Sequence, residues 1–244
     1  MIFIDARNGI SGDMLLCALL SLLGKNQKKF ACQLSKICSV MVPTKIMFKK
    51  VMLDHITAIE MKVKHQPIYE VTGADMIKYF EKALMLAHLD EMTKQFAMRT
   101  LNTLLRAESI VHGLPITKIH LHETGSPDTI ADIVGVSMLC AELAAWKQTI
   151  CGSWIATGRG KIEIVHGIVD VPAPATRIML KGMWFKKGPY HGEMATPTGV
   201  ALFKNLITQQ QKVPNKQSVI SGYGAGQRCF AGKRHPLLVA VYDK

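Results

Sequence analysis

The chain has 244 residues, 48% of them apolar and 20% charged, which excludes a disordered tail or a fibre and allows a sizeable core. Its formal net charge of +12 points to an anionic partner: nucleic acid, a membrane surface or a phosphorylated small molecule. The charge is uneven, +6 over residues 1–64, −4 over 65–146 and +10 over 147–244, with no block of five like charges, so this is not a basic tail.

Met1–Asp5 reads as a buried strand, followed by a loop and a helix from Gly12 to Leu23. Residues 46–64 alternate as one or two strands, and 67–73 read as a loop. Helices are predicted at 74–88 and 91–112, the second opened by Asp90 and closed by Gly113. Ile116–His122 alternates and reads as a strand, and Ser126-Pro127 opens a helix running to about Trp146. Strands are predicted at 150–157 and on either side of His166-Gly167. A short helix ends at Gly182, a longer one runs from Thr196-Pro197 to about Gln210, and strands close the chain near 217–223 and 236–242. Alternating strands and helices indicate an α/β fold, a mixed sheet covered by helices, in one compact domain over 1–244 with a soft sub-boundary near 147.

Six cysteines with no C-x-x-C pair indicate free thiols in a reducing cytoplasm. The apolar run Met14–Leu23 is too short to span a membrane, which takes about 20 residues.

The strongest constellation is His120-Leu121-His122-Glu123 followed by Asp128 and Asp132. On a strand, His120 and His122 share a face with Cα atoms about 6.5–7 Å apart, within reach of one metal ion. Asp128 and Asp132 are four apart, on one side of a helix start. Imidazoles with carboxylates suit Ni, Zn, Fe or Mn; a polar sheet face beside a helix dipole is the plainer alternative. A second constellation runs from Asp5 through Ser11, Gly12 and Asp13, where a strand tip, glycines and a helix start suit either a phosphate or a simple helix cap. Three weaker features follow: His166 before a glycine, Thr196 and Thr198 at a helix start, and Gly222-Tyr223-Gly224-Ala225-Gly226, read as a bulge or turn.

Together the motifs resemble the nickel-insertion protein family of lactate racemase cofactor maturation (LarC), the pyridinium bis-thiocarboxylate mononucleotide nickel chelatases. The resemblance rests on Gly-Ile-Ser-Gly-Asp-Met at 9–14, Arg-Ala-Glu-Ser-Ile-Val-His-Gly at 106–113 and the run from His120 to Gly135. It continues through Gly-Arg-Gly at 158–160, Val-Pro-Ala-Pro-Ala-Thr at 171–176, Thr-Pro-Thr-Gly at 196–199 and the glycine run at 222–226. It implies a metal-inserting lyase acting on an anionic pyridinium mononucleotide, with Ni²⁺ inserted in a CTP-dependent reaction. The ring carbon that binds nickel must lose a proton, so a general base is required. On this resemblance His120, His122, Glu123, Asp5 and Asp13 are the metal candidates. Glu123, Asp128 and Asp132 are the catalytic candidates, and Ser11, Gly12, Thr196, Thr198 and His166 the substrate-binding ones.

The chain is short against the family and ends soon after the glycine run. A partner chain carrying the CTP-handling region is therefore expected. A metal-dependent phosphoesterase and a nucleic-acid-binding module are the competing readings. Only 7% aromatic residues argue against the second.

Overall fold

The computed structural model describes residues 1–69, 71–165 and 167–243. The chain begins with β1 (Ile2–Asp5), α1 (Gly12–Leu22), α2 (Gln27–Cys38), β2 (Thr44–Leu53), β3 (Ile56–His65), β4 (Val71–Thr72), α3 (Gly73–Ala87) and α4 (Glu91–His112). It continues with β5 (His120–Leu121), α5 (Pro127–Glu142), β6 (Ile150–Gly152), β7 (Ile155–Ala156), β8 (Gly158–Arg159), β9 (Lys161–Ile164), β10 (Gly167–Asp170) and α6 (Pro174–Met179). The last elements are β11 (Phe185–Lys186), β12 (Gly192–Glu193), α7 (Pro197–Leu206), β13 (Gln209–Gln210), β14 (Ile220–Ala225) and β15 (Pro236–Val241).

Seven strands form one mixed sheet in the order β13-β6-β1-β15-β14-β3-β2, giving the expected α/β fold. Strand β1 lies between β6, which it pairs in parallel, and β15, which runs antiparallel with Ile2 opposite Val241. The sheet thus draws strands from both sides of residue 147. The β2–β3 hairpin turns at Asp54 and His55, both at positive φ (43° and 70°), the twist that a two-residue hairpin requires.

Alternation along β1 sends Ile2 and Ile4 toward the helices and Phe3 to the opposite face, where it packs with Cys151, Ala240 and Tyr242. Helix α1 is apolar nearly all round, so it is buried on all sides. It lies between β14 and α5, and α5 is itself buried from Pro127 to Cys140. Gly222 and Gly224 explain how close α1 comes. A Cβ at Gly224 would overlap the Met14 carbonyl oxygen, and one at Gly222 the Ala18 carbonyl oxygen. These glycines are neither a bulge nor a turn; they let a helix backbone rest on a strand.

The structure departs from the sequence expectations in several places: α7 ends at Leu206 and not near Gln210, because Gln209 and Gln210 pair with β6 as β13, and α5 ends at Glu142 and not near Trp146. Helix α2 was not anticipated, although Asn26 caps it by accepting from the Lys29 N–H at 3.1 Å and Phe30, Leu34 and Ile37 form its buried stripe. The expected strand at 116–122 is a 3₁₀ turn at Ile116–Lys118 after Pro115; among the described residues His120 and Leu121 pair as a strand, after an extended Ile119. The stretch 150–157 breaks at Ser153, whose hydroxyl accepts from the Ala6 N–H at 2.8 Å, so β6 and β7 enter different sheets. Among the described residues no helix is long and apolar enough to cross a membrane.

Candidate functional site

Three helix starts converge beyond the tip of β1. The loop after β1 is tied to the segment before α7: Ile10 N–H donates to the Met194 carbonyl at 2.8 Å and Thr196 N–H to the Ile10 carbonyl at 2.9 Å. Gly199 in the first turn of α7 abuts the backbone of Ile10 and Ser11 so closely that a Cβ there would lie 2.6 Å from the Ser11 Cα. Helix α5 reaches the same place because Gly12 leaves room for Asp132; a Cβ at Gly12 would overlap that carboxylate. The result is a cavity of about 280 Å³ lined by Ser11 and Asp13 of α1, Ser126, Asp128 and Asp132 of α5, and Thr196 and Thr198 of α7. Each helix start presents backbone N–H groups and the positive end of its dipole. Thr196 caps its own helix by accepting from the Gly199 N–H at 3.2 Å, whereas neither Ser11 nor Ser126 caps with its side chain.

Carboxylates crowd this cavity. The Ser11 hydroxyl donates to Asp13, yet the surrounding protein still pushes the Asp13 carboxyl above its ordinary range. Asp132 is 8% exposed and is pushed up further, by burial first and then by Asp13 and Asp128. Asp128 is exposed and pairs with His65 at the end of β3, Nε2 to Oδ2 at 3.1 Å. On the far wall Arg228 donates to the buried Glu193 at 2.7 Å, which offsets part of the rise that burial causes in that carboxyl.

A second recess of about 220 Å³ adjoins the first, with Glu123 and Pro197 common to both. Its walls include Val111, Ile164, Val169 and Pro174, and its polar groups are Glu108, His112, His122 and Glu123. Glu108 and His112 are one turn apart on α4, with His112 Nε2 3.9 Å from Glu108 Oε2. The His112 and His122 rings are 6.5 Å apart at 37°. Burial, with Glu123 adding to it, pushes the Glu108 carboxyl up to about 7. Among the described residues, no three His, Cys, Asp or Glu side chains converge closely enough to hold a metal ion by themselves.

The family described as nickel insertion protein matches residues 2–242. The chain belongs to that family. A pyridinium-3,5-bisthiocarboxylic acid mononucleotide nickel insertion protein of Staphylococcus epidermidis is 32% identical over 229 residues, 94% of this chain and 56% of the relative. Proteins of the same description from Geobacillus kaustophilus and Thermotoga sp. are 29% and 32% identical, over 100% and 93% of this chain and 60% and 57% of their own lengths. The chain therefore spans little more than half the length of these relatives. No solved structure matches it.

Of the residues singled out in the sequence, Ser11, Asp13, Glu123, Asp128, Asp132, Thr196 and Thr198 come together around the first cavity, and His122 and Glu123 reach the second. His120 is exposed, like His122, with buried Leu121 between them; it pairs across to Thr72 and lines neither recess. Asp5 lies apart. It alternates with Ile4 onto the sheet face away from α1, and Arg7 holds it with two bonds of 2.8 and 2.7 Å. Gly12 serves packing, against Asp132. His166 lies outside the described residues. Sequence reasoning missed Glu108, His112, His65, Glu193 and Arg228. A Glu–His pair four apart in the last turn of a helix was the one legible signal; the others are joined only by folding.

Proposed function

We propose that the chain inserts Ni²⁺ into a pyridinium bis-thiocarboxylate mononucleotide, as the names of its relatives describe for them. The observation that carries this reading is the pair of adjoining recesses, one apolar with imidazole and carboxylate groups, the other ringed by three helix starts. A flat pyridinium ring suits the apolar walls of Val111, Ile164 and Pro174, and a phosphate suits the N–H groups at the starts of α1, α5 and α7. Nickel is cargo here, so a site that does not enclose it tightly is compatible with handing it on. His120 and His122 capture the ion at the exposed edge, and Glu123, at the junction of the recesses, guides it inward. Glu108 takes the proton that leaves the ring carbon, from the wall of the recess that receives the ring.

The reading includes CTP dependence and a lyase-type step, with the CTP-handling region supplied by a partner chain. It places the chain in the cytoplasm, which the six free thiols suit.

Equilibrium dialysis with Ni²⁺ tests the capture step. The intact chain is expected to bind about one Ni²⁺, and the double substitution His120→Ala with His122→Ala to abolish binding. Unchanged nickel binding in the double variant would remove both histidines from the pathway.

A further inference from the structure

We propose that the cavity at the three helix starts is a second metal site, distinct from the nickel path. There Asp13 and Asp132 hold a hydrated hard divalent cation of the Mg²⁺ or Mn²⁺ class. The phosphate that this cation would present rests on the nickel-insertion reading; the cation site itself does not.

Asp132 carries the inference. Its side chain is more than nine-tenths buried and lines the cavity, and among the described residues its Oδ1 has no hydrogen-bond partner. A buried carboxylate oxygen without a donor is costly, and protein interiors rarely leave one. The charged groups that face Asp132 are the carboxylates of Asp13 and Asp128. The nearby Arg228 guanidinium is paired with Glu193, and the His65 imidazole is hydrogen-bonded to Asp128. Among the described residues Asp13 accepts from the Ser11 hydroxyl and the Met14 backbone N–H, and the charge of Arg228 acts on it from a distance.

The same cavity shows two preferences that conflict without a cation. Three helix dipoles favour an anion, while the five carboxylates that line the cavity, Asp13, Glu123, Asp128, Asp132 and Glu193, repel one. A divalent cation between carboxylate and phosphate satisfies both. Mg²⁺ is commonly held in this way, by one or two carboxylates and a substrate phosphate, with waters completing its octahedron. That mode needs no cage of three protein ligands, in keeping with their absence among the described residues. The cavity of about 280 Å³ has room for the ion and several waters of about 30 Å³ each. The proposed ligands, Asp13 and Asp132, offer only oxygens, which suit Mg²⁺ or Mn²⁺, whereas His112 and His122 line the other recess.

Electron paramagnetic resonance with Mn²⁺ as the probe tests this on the full chain. One bound Mn²⁺ is expected, displaced by excess Mg²⁺ and bound more tightly when inorganic phosphate is added. Asp132→Asn is expected to weaken Mn²⁺ binding by about 100-fold or more while the chain stays folded, since the change removes a buried charge. Asp13→Asn, at the accessible side of the cavity, is the second variant, with circular dichroism confirming the fold of both. The His120→Ala, His122→Ala chain is expected to keep its Mn²⁺, so loss of nickel binding leaves this result intact. No Mn²⁺ signal in the intact chain, as when the two carboxyls merely share a proton, would overturn the proposal. So would unchanged affinity in folded Asp132→Asn, or loss of Mn²⁺ in the double histidine variant.

Discussion

Glu108→Gln is expected to slow nickel insertion by about 10²–10⁴-fold, the range that a positioned general base supplies. The ring carbon that takes nickel must first give up a proton, and a carboxyl that titrates near neutrality is matched to that task. Glu108 meets the condition because burial and Glu123 push it up to about 7. In the intact chain insertion should therefore rise with pH and level off above about 7; the Gln variant should lose that dependence along with the rate. Nickel binding at His120 and His122 should be unaffected, which separates a base from a ligand. The measurement is nickel recovered in the small-molecule fraction of a reaction holding the chain, the partner chain that handles CTP, Ni²⁺, the pyridinium precursor and CTP. The same carboxyl makes a second, independent mark. A folded-state value of about 7 against an ordinary 4.5 means that the folded chain binds more protons across that window, so stability falls as pH rises through it. The size is about 3 kcal/mol. Urea melts at pH 5 and pH 8 should differ by less in Glu108→Gln than in the parent chain; equal differences would place Glu108 in solvent.

Gly224→Ala is expected to destabilise the chain by about 3 kcal/mol and to lower its melting temperature by about 6–12 °C. One methyl group has this effect because it would overlap backbone, the Met14 carbonyl oxygen and the Ala18 nitrogen, and not a side chain that can swing away. Helix α1 must shift, and with it Ser11 and Asp13 at its start. Gly182→Ala is the control. Nothing lies within 4 Å of its added carbon, and its φ of 79° leaves only the left-handed strain of about 1 kcal/mol. If the two variants melt together, α1 does not rest on β14 as described.

Legibility in the sequence followed the range of the interaction. Helix α4 was bounded correctly because Asp90 and Gly113 act on neighbouring backbone, and the N-cap of α7 at Thr196 was local in the same way. The strand expected at 116–122 failed because alternation alone does not provide a pairing partner. Among the described residues Val71 and Thr72 are opposite, and they pair with Leu121 and His120 alone. Helix α2 was passed over because its apolar stripe of Phe30, Leu34 and Ile37 is interrupted by lysines that turn outward once the helix forms.

The candidate site divides along the same line. Residue types and spacing alone singled out Ser11, Asp13, His122, Glu123, Asp128, Asp132, Thr196 and Thr198, since each lies at a strand end or helix start where chemistry-bearing groups are exposed to one another. Which of them share a cavity was decided by contacts between distant segments. Gly12 admits Asp132 across 120 residues of chain, and Gly199 brings α7 against Ile10. The altered carboxyls of Glu108, Asp13 and Asp132 belong wholly to the folded state, because burial is their first cause and a linear sequence buries nothing. Residue identity determined which groups were present; packing decided which of them lost water and which came to face a partner.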